Sequence, residues 1–195
     1  MERPELIEEK ESRKQWGKVI LERKFRLPSG EVIDYFNWGG TVVPSIIFPI
    51  TKNHEVVALK QFRYGINDFV IELPGGCPDQ KESFEEISRK ELMEETGFKA
   101  ENFIKLGPPL WFDPANCITP YMPVLATGCV KVGEPKPEET EFIEVIIYPI
   151  EEWIAKIYSG EVKDSKSIAV TFLALPHLGI DLSELVTPGR RVCGS

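Results

Sequence analysis

The sequence predicts an α/β fold, a sandwich of helices around a mixed β-sheet, preceded by an N-terminal β arm. Three observations predict it. Runs of β-branched and aromatic residues, separated by turn residues, fill the first part of the chain. One acidic segment with helix caps follows them. After it strand-like runs return, and the last stretches carry apolar residues at a spacing near 3.6. Strands, helix, strands, helices is the order of a layered α/β domain.

Taking the elements in order, the stretch from Trp16 to Phe36 alternates apolar and polar residues around the turn signal LPSG (27–30). KVILERKFR and EVIDYFNW therefore read as a hairpin or arm, which assigns residues 1–40 to an arm and residues 41–195 to the main domain. TVVPSIIFPI, EVVALKQFRYG and FVIELPGG then read as three strands, broken at Asn53 and at Gly65-Ile66-Asn67-Asp68. Beyond the acidic segment, FIKLGPPLWF, ITPYMPVLATGCVKV and EFIEVIIYPI read as strands. IEEWIAKIYSG and SKSIAVTFLALPHLG read as helices.

The acidic segment places Glu82, Glu85, Glu86, Glu91, Glu94 and Glu95 within fourteen positions. Gly75-Gly76 and Pro78 exclude an early helix start, and Ser83-Phe84-Glu85-Glu86 is a capping box. The helix is expected to begin near Glu82 or Ser83 and to end at Gly97. At ~3.6 residues per turn Phe84, Ser88 and Leu92, with Ile87 beside them, form the packing stripe, and Glu91, Glu94 and Glu95 share another face. Like charges at these spacings repel by roughly 0.2–0.5 kcal/mol per pair. Something cationic is the natural compensation, and a hard divalent ion with oxygen ligands suits this spacing, the alternative being a plain solvated acidic face.

Composition narrows the class. A chain of 195 residues suits one domain with an appended arm, and 42% hydrophobic residues suit a globular protein. A net charge of -8 excludes broad phosphate-backbone binding, so no nucleic-acid partner is expected. The four cysteines, Cys77, Cys117, Cys129 and Cys193, contain no CxxC pair, which leaves reduced thiols. The first residues, MERPELIEEKESRKQW, are charged where a signal peptide is apolar, and no run approaches the ~20 apolar residues of a membrane span. A cytoplasmic protein without a membrane partner is the expectation.

The spacing Gly76, five residues, Glu82, seven residues, then Lys90-Glu91-Leu92-Met93-Glu94-Glu95-Thr96-Gly97-Phe98 closely resembles the 23-residue box of the Nudix hydrolases, Gly-x5-Glu-x7-Arg-Glu-U-x-Glu-Glu-x-Gly-U with U apolar. Eight of its nine specified positions match. Lys90 departs from the family's Arg, whose planar fork an ammonium cannot reproduce. The resemblance implies a Nudix-type α/β/α sandwich, metal ligation by Glu91, Glu94, Glu95 and the Gly75 carbonyl, and a structural Glu82 paired with the basic residue at 90. Mg²⁺ is the ion it implies, with Mn²⁺ as the substitute.

Outside the box the chain resembles the ADP-ribose pyrophosphatase subgroup. Gln61-Phe62-Arg63 and Glu72-Leu73-Pro74-Gly75-Gly76 are similar to its segments before the box. Pro114 lies sixteen residues after Phe98, where that subgroup has a proline. The stretches Glu139–Val145 and Gly160–Ser167 are similar to its C-terminal half, so the resemblance runs from about Thr41 to Gly179. It implies Mg²⁺-dependent cleavage of ADP-ribose to AMP and ribose 5-phosphate. Arg63, Glu72 and Pro114 are the implied substrate contacts, Glu139 or Glu141 the general base beside the catalytic Glu95, and the arm implies a homodimer. Two alternatives are a Nudix hydrolase for ADP-glucose or GDP-mannose and a Nudix-fold module that senses its ligand without cleaving it.

Overall fold

The computed structural model describes residues 1–15, 17–40, 42–79 and 82–181. Thr41, where the main domain is expected to start, Trp16, where the alternation begins, and Cys193 lie outside the described residues. The chain forms two compact units, Met1–Val43 with Pro109–Tyr121, and Pro44–Pro108 with Met122–Ser195.

The first unit is built on a three-stranded antiparallel sheet: β1 (Glu5–Gln15), β2 (Lys18–Arg26) and β3 (Val32–Gly40) in that order. The strands β2 and β3 are the expected hairpin, with Val19 and Leu21 buried on alternate positions of β2. β1 is an addition that the sequence did not signal. Its residues are exposed throughout, so no apolar alternation marks it. It pairs through opposite charges: Glu5 faces Arg26, Glu8 faces Lys24 and Glu9 faces Arg23, at 2.9, 2.8 and 2.7 Å. Residues 109–121 add to β3, where the Trp38 N–H donates to the Asn116 carbonyl at 3.0 Å and the Ile118 N–H to the Trp38 carbonyl at 2.9 Å.

The second unit carries the mixed sheet. Its strands are β4 (Ser45–Thr51), β5 (Glu55–Arg63), β6 (Asp68–Glu72) and the short β7 (Gly75–Gly76) before helix α1 (Phe84–Thr96). After it come β8 (Phe98–Lys99), β9 (Asn102–Lys105), β10 (Met122–Lys131) and β11 (Ile143–Pro149), then α2 (Ile150–Ser159) and α3 (Ser165–Ala174) with a 3₁₀ turn at Leu175–Leu178. The sheet runs β11-β5-β4-β10-β8, with β6 on β5, β7 on β4 and β9 on β10. Among the described strands only β4 and β10 pair in parallel. Ser45–Ile50 are buried without alternation, as a central strand covered by helices on both faces requires.

α1 packs Leu92 against Ile47, Val57, Phe98 and Ala126 of the sheet. The α2 and α3 helices contribute Ile150, Trp153, Ile154, Val170 and Ala174 to the core, and the Trp153 indole donates to Thr171 Oγ1 at 2.9 Å. Two expected elements are shorter than the sequence suggested. FIKLGPPLWF is a strand only to Lys105, because Gly107-Pro108-Pro109 breaks the ladder and Leu110 keeps one isolated bridge to Tyr121. The last helix yields to a 3₁₀ turn where Pro176 removes a donor.

A candidate metal and diphosphate site on helix α1

Local chemistry fixes α1 at both ends. Ser83 Oγ accepts from the Glu86 N–H and the Glu86 carboxylate accepts from the Ser83 N–H at 2.8 Å, the capping box expected from the sequence. Gly97 closes the helix at φ 74°, its N–H donating to the Met93 carbonyl. A Cβ there would lie 2.3 Å from the Gly133 carbonyl oxygen. That contact docks the following loop: Val132 and Gly133 N–H groups bond the Gly97 carbonyl, and the Lys136 N–H bonds the Glu94 carbonyl at 2.6 Å.

The packing stripe differs from expectation in two residues. Phe84 is half-buried with Lys105 over its ring at 4.5 Å, whereas Glu95 is only 3% exposed. Seven residues after Ser88, Glu95 returns to nearly the same helical angle, so it points inward with Ser88 and Leu92. Its Oε2 accepts the Gly75 N–H at 2.8 Å. Glu91 is half-buried beside Gly76, where a Cβ would fall 2.3 Å from the Glu91 carboxyl carbon. Glycine at 76 is thus the space into which that carboxylate fits. Glu94 is exposed on the turn between them.

Glu91 and Glu95 are both raised in pKa, burial being the largest cause in each. Burial, then the charges of Glu94, Glu141 and Asp79, against an opposing Lys90, pushes Glu91 to about 7. Burial places Glu95 well above the usual carboxylate range, and Glu91 and Glu141 add to it. The Gly75 N–H and, more weakly, Arg63 oppose this rise. Among the described residues no three His, Cys, Asp or Glu side chains converge into a ready cage. A buried, a half-buried and an exposed carboxylate beside the Gly75 backbone fit a hard divalent ion that takes few protein oxygens and keeps several waters. Glu91, Glu94, Glu95 and the Gly75 carbonyl are the donors that would hold it.

Arg63 ends β5 and its guanidinium lies 2.6 Å from the Glu72 carboxylate, without hydrogen-bond alignment. Glu72 is 2% exposed, and burial raises its pKa more than Arg63 lowers it. Glu72 therefore braces Arg63 from beneath, while Arg63 keeps about half of its side chain in solvent. Of the expected base candidates, Glu141 is the one whose charge acts on both Glu91 and Glu95. Its carboxylate also accepts the Glu138 N–H at 3.0 Å. Glu139 lies exposed in the same loop, and no described contact ties it to α1.

The expected pairing of Glu82 with Lys90 does not form. Lys90 Nζ bonds the Asp79 carboxylate, and Glu82 Oε2 instead accepts the Asp79 N–H at 2.9 Å. An ammonium lacks the planar fork with which an Arg binds a carboxylate at two points, and here it pairs with Asp79. No spacing rule in the sequence singles out Asp79. Pro114 belongs to the first unit, in a cleft of about 360 Å³ with Arg23, Phe25, Tyr35, Asn37 and Ala115. A larger cleft of about 460 Å³ on the arm sheet is lined by charges of both signs, among them the paired Glu8 and Lys24. That charge balance gives it no anion-binding character.

A mixed sheet with the box on its first helix defines the class: the NUDIX domain model matches residues 41–169, and the chain belongs to the Nudix family. Within the family it is 33% identical over 123 residues to the ADP-sugar pyrophosphatase of Mus musculus, covering 60% of this chain and 55% of that protein's length. It is 28% identical to the ADP-ribose pyrophosphatase of Bacillus subtilis (66% of this chain, 70% of that one). It is 31% identical to the GDP-mannose pyrophosphatase of Yersinia enterocolitica (64% and 69%). A solved structure described as an ADP compounds hydrolase shares the fold at a TM-score of 0.80 and 17% identity, over 92% of this chain and 96% of that one.

Proposed function

We propose that the protein is a Nudix pyrophosphohydrolase that cleaves the diphosphate of ADP-ribose, or of a closely related nucleoside diphosphate sugar, to AMP and the sugar phosphate. The observation that carries the reading is the intact carboxylate set of α1, with Glu95 buried against the Gly75 N–H and Glu91 raised to about 7. A sensing module has no need to maintain three carboxylates at that electrostatic cost. Relatives named for ADP-sugar and ADP-ribose support the choice of substrate.

Mg²⁺ is the ion proposed, held by Glu91, Glu94, Glu95 and the Gly75 carbonyl, with Mn²⁺ able to substitute. Bound there, such an ion supplies Lewis acidity toward a diphosphate oxygen and lowers the pKa of a water. Arg63, braced by Glu72, would offset the diphosphate's charge, and its fork suits a pair of phosphate oxygens. Glu141 would take the proton of the attacking water, with Glu139 the alternate base on the same loop. Pro114 would border the nucleoside. The protein would act in the cytoplasm as a homodimer formed through the arm, whose Val32, Tyr35, Phe36 and Trp38 are exposed.

The test is a panel of ADP-ribose, ADP-glucose, GDP-mannose and NADH with Mg²⁺, the nucleotide products resolved by chromatography. AMP should form fastest from ADP-ribose, and a Glu94→Gln/Glu95→Gln variant should lose at least ~100-fold in rate. GMP formed fastest from GDP-mannose would move the substrate to the reading favoured by the Yersinia relative. ADP-ribose bound but no compound turned over would sink the hydrolase reading.

A further inference from the structure

The segment Leu73-Pro74-Gly75 carries the backbone carbonyl proposed as a metal ligand, and each of its polar backbone contacts comes from a different element. The Gly75 N–H is held by Glu95 of α1 at 2.8 Å. The Pro74 carbonyl accepts the Ile47 N–H of β4 at 2.9 Å. The Leu73 N–H donates to Ser167 Oγ of α3 at 2.8 Å, 94 residues away in sequence. Ser167 has no exposed surface, and its hydroxyl in turn donates to Asp164 Oδ2 at 2.7 Å, as does its own N–H at 2.9 Å. Lys166 pairs with the other oxygen of Asp164. Both oxygens of Asp164 are thus engaged, and the Ser167 hydroxyl points its hydrogen toward Asp164 and a lone pair toward Leu73.

We infer that Ser167, oriented by Asp164, is a positioning residue for the metal-binding backbone: it fixes the strand end at Leu73 from the α3 side while Glu95 fixes it at Gly75 from the α1 side. The inference rests on the metal reading above and extends it to a helix outside the box. The physical ground is that a carbonyl ligand has no rotamers of its own, so its aim is set wholly by what pins the peptide on either side. Outer contacts of this kind commonly govern metal affinity by about 10–100-fold. Without Ser167 Oγ a buried N–H loses its acceptor, and the strand end is free to tilt to recover one.

The test compares Ser167→Ala with Thr171→Val, a control on the same helix. Thr171 is equally buried and bonds Trp153 and the Ser167 carbonyl, with no described hydrogen bond to residues 73–75. Mn²⁺ binding to the substrate-free protein is measured by electron paramagnetic resonance, alongside thermal midpoints and the metal concentration giving half-maximal ADP-ribose turnover. Ser167→Ala should weaken Mn²⁺ binding by about tenfold, with turnover recovered at raised metal, while Thr171→Val loses thermal stability and stays within about twofold of wild type in Mn²⁺ binding. If Ser167→Ala does not fold, Asp164→Asn, which keeps an oxygen for Ser167 and loses the charge, takes its place with the same expected direction. Unchanged Mn²⁺ binding, or equal weakening in Thr171→Val, overturns the inference alone. Wild-type protein that binds no Mn²⁺ overturns the metal reading and this inference with it.

Discussion

Glu91 shows how a single side chain reports on its surroundings. Its ordinary value near 4.5 is raised to about 7 by burial and by neighbouring carboxylates, so the folded state binds its proton more tightly than the unfolded chain does. The stabilising contribution is complete below about pH 4.5 and is lost as pH rises through about 7. The full shift corresponds to ~3 kcal/mol, and the partial exposure of the side chain screens it to about 1 kcal/mol. Metal-free protein should thus lose about that much stability between pH 5 and 8. Chemical denaturation in a chelator should show the loss, with Mg²⁺ and Glu91→Gln each flattening the profile. A wild-type profile that rises over this range would contradict the electrostatic account. Glu95 was legible as an acidic box residue, but its burial was not. Its helical angle coincides with Ser88, and apolar periodicity does not look for a carboxylate on a packing stripe.

At the scale of elements, α1 was legible to within a residue or two because its ends are written in local chemistry: a capping box at Ser83 and a left-handed glycine at 97. β1 was illegible for the opposite reason. Its partners are charges on another strand, and pairing of that kind leaves no period of its own in ELIEEKESRKQ. The Lys90–Asp79 contact escaped likewise, since it joins a helix to a loop eleven residues away. Gly97 anchors the next segment as well as ending the helix, because the loop that leads to Glu141 hangs from its carbonyl. Gly97→Ala forces a side chain into positive φ and against the Gly133 carbonyl. It should cost at least ~1 kcal/mol in urea unfolding. If Glu141 is the base, kcat should fall further than that stability loss explains, with KM little changed. A proportionate loss of both would separate the loop from catalysis.

For the whole molecule, the arm and the main sheet were each foreseen, but the affiliation of residues 109–121 with β3 was not, since it depends on backbone bonds to Asn116 and Ile118 that no side-chain pattern encodes. Removing residues 1–40 should therefore do more than abolish a dimer. It also strips residues 116 and 118 of their β3 partners, so the shortened chain should sediment as a monomer and lose ADP-ribose turnover, whereas the full chain should sediment as the proposed dimer. A shortened chain that remains dimeric would remove the arm from the interface. The parallel pairing of β4 with β10 bears on a different matter, the order of assembly. The two strands are separated by all of residues 52–121, and they cannot meet until that length of chain has been made and its ends brought together. The β5–β6 hairpin and α1 lie inside this loop and can form from nearby partners. Closure of the central ladder, with its high contact order, is then the slow event, and on the ribosome it waits for Lys131 to emerge. Nascent chains shorter than that would carry all the box carboxylates and yet no finished bed for them.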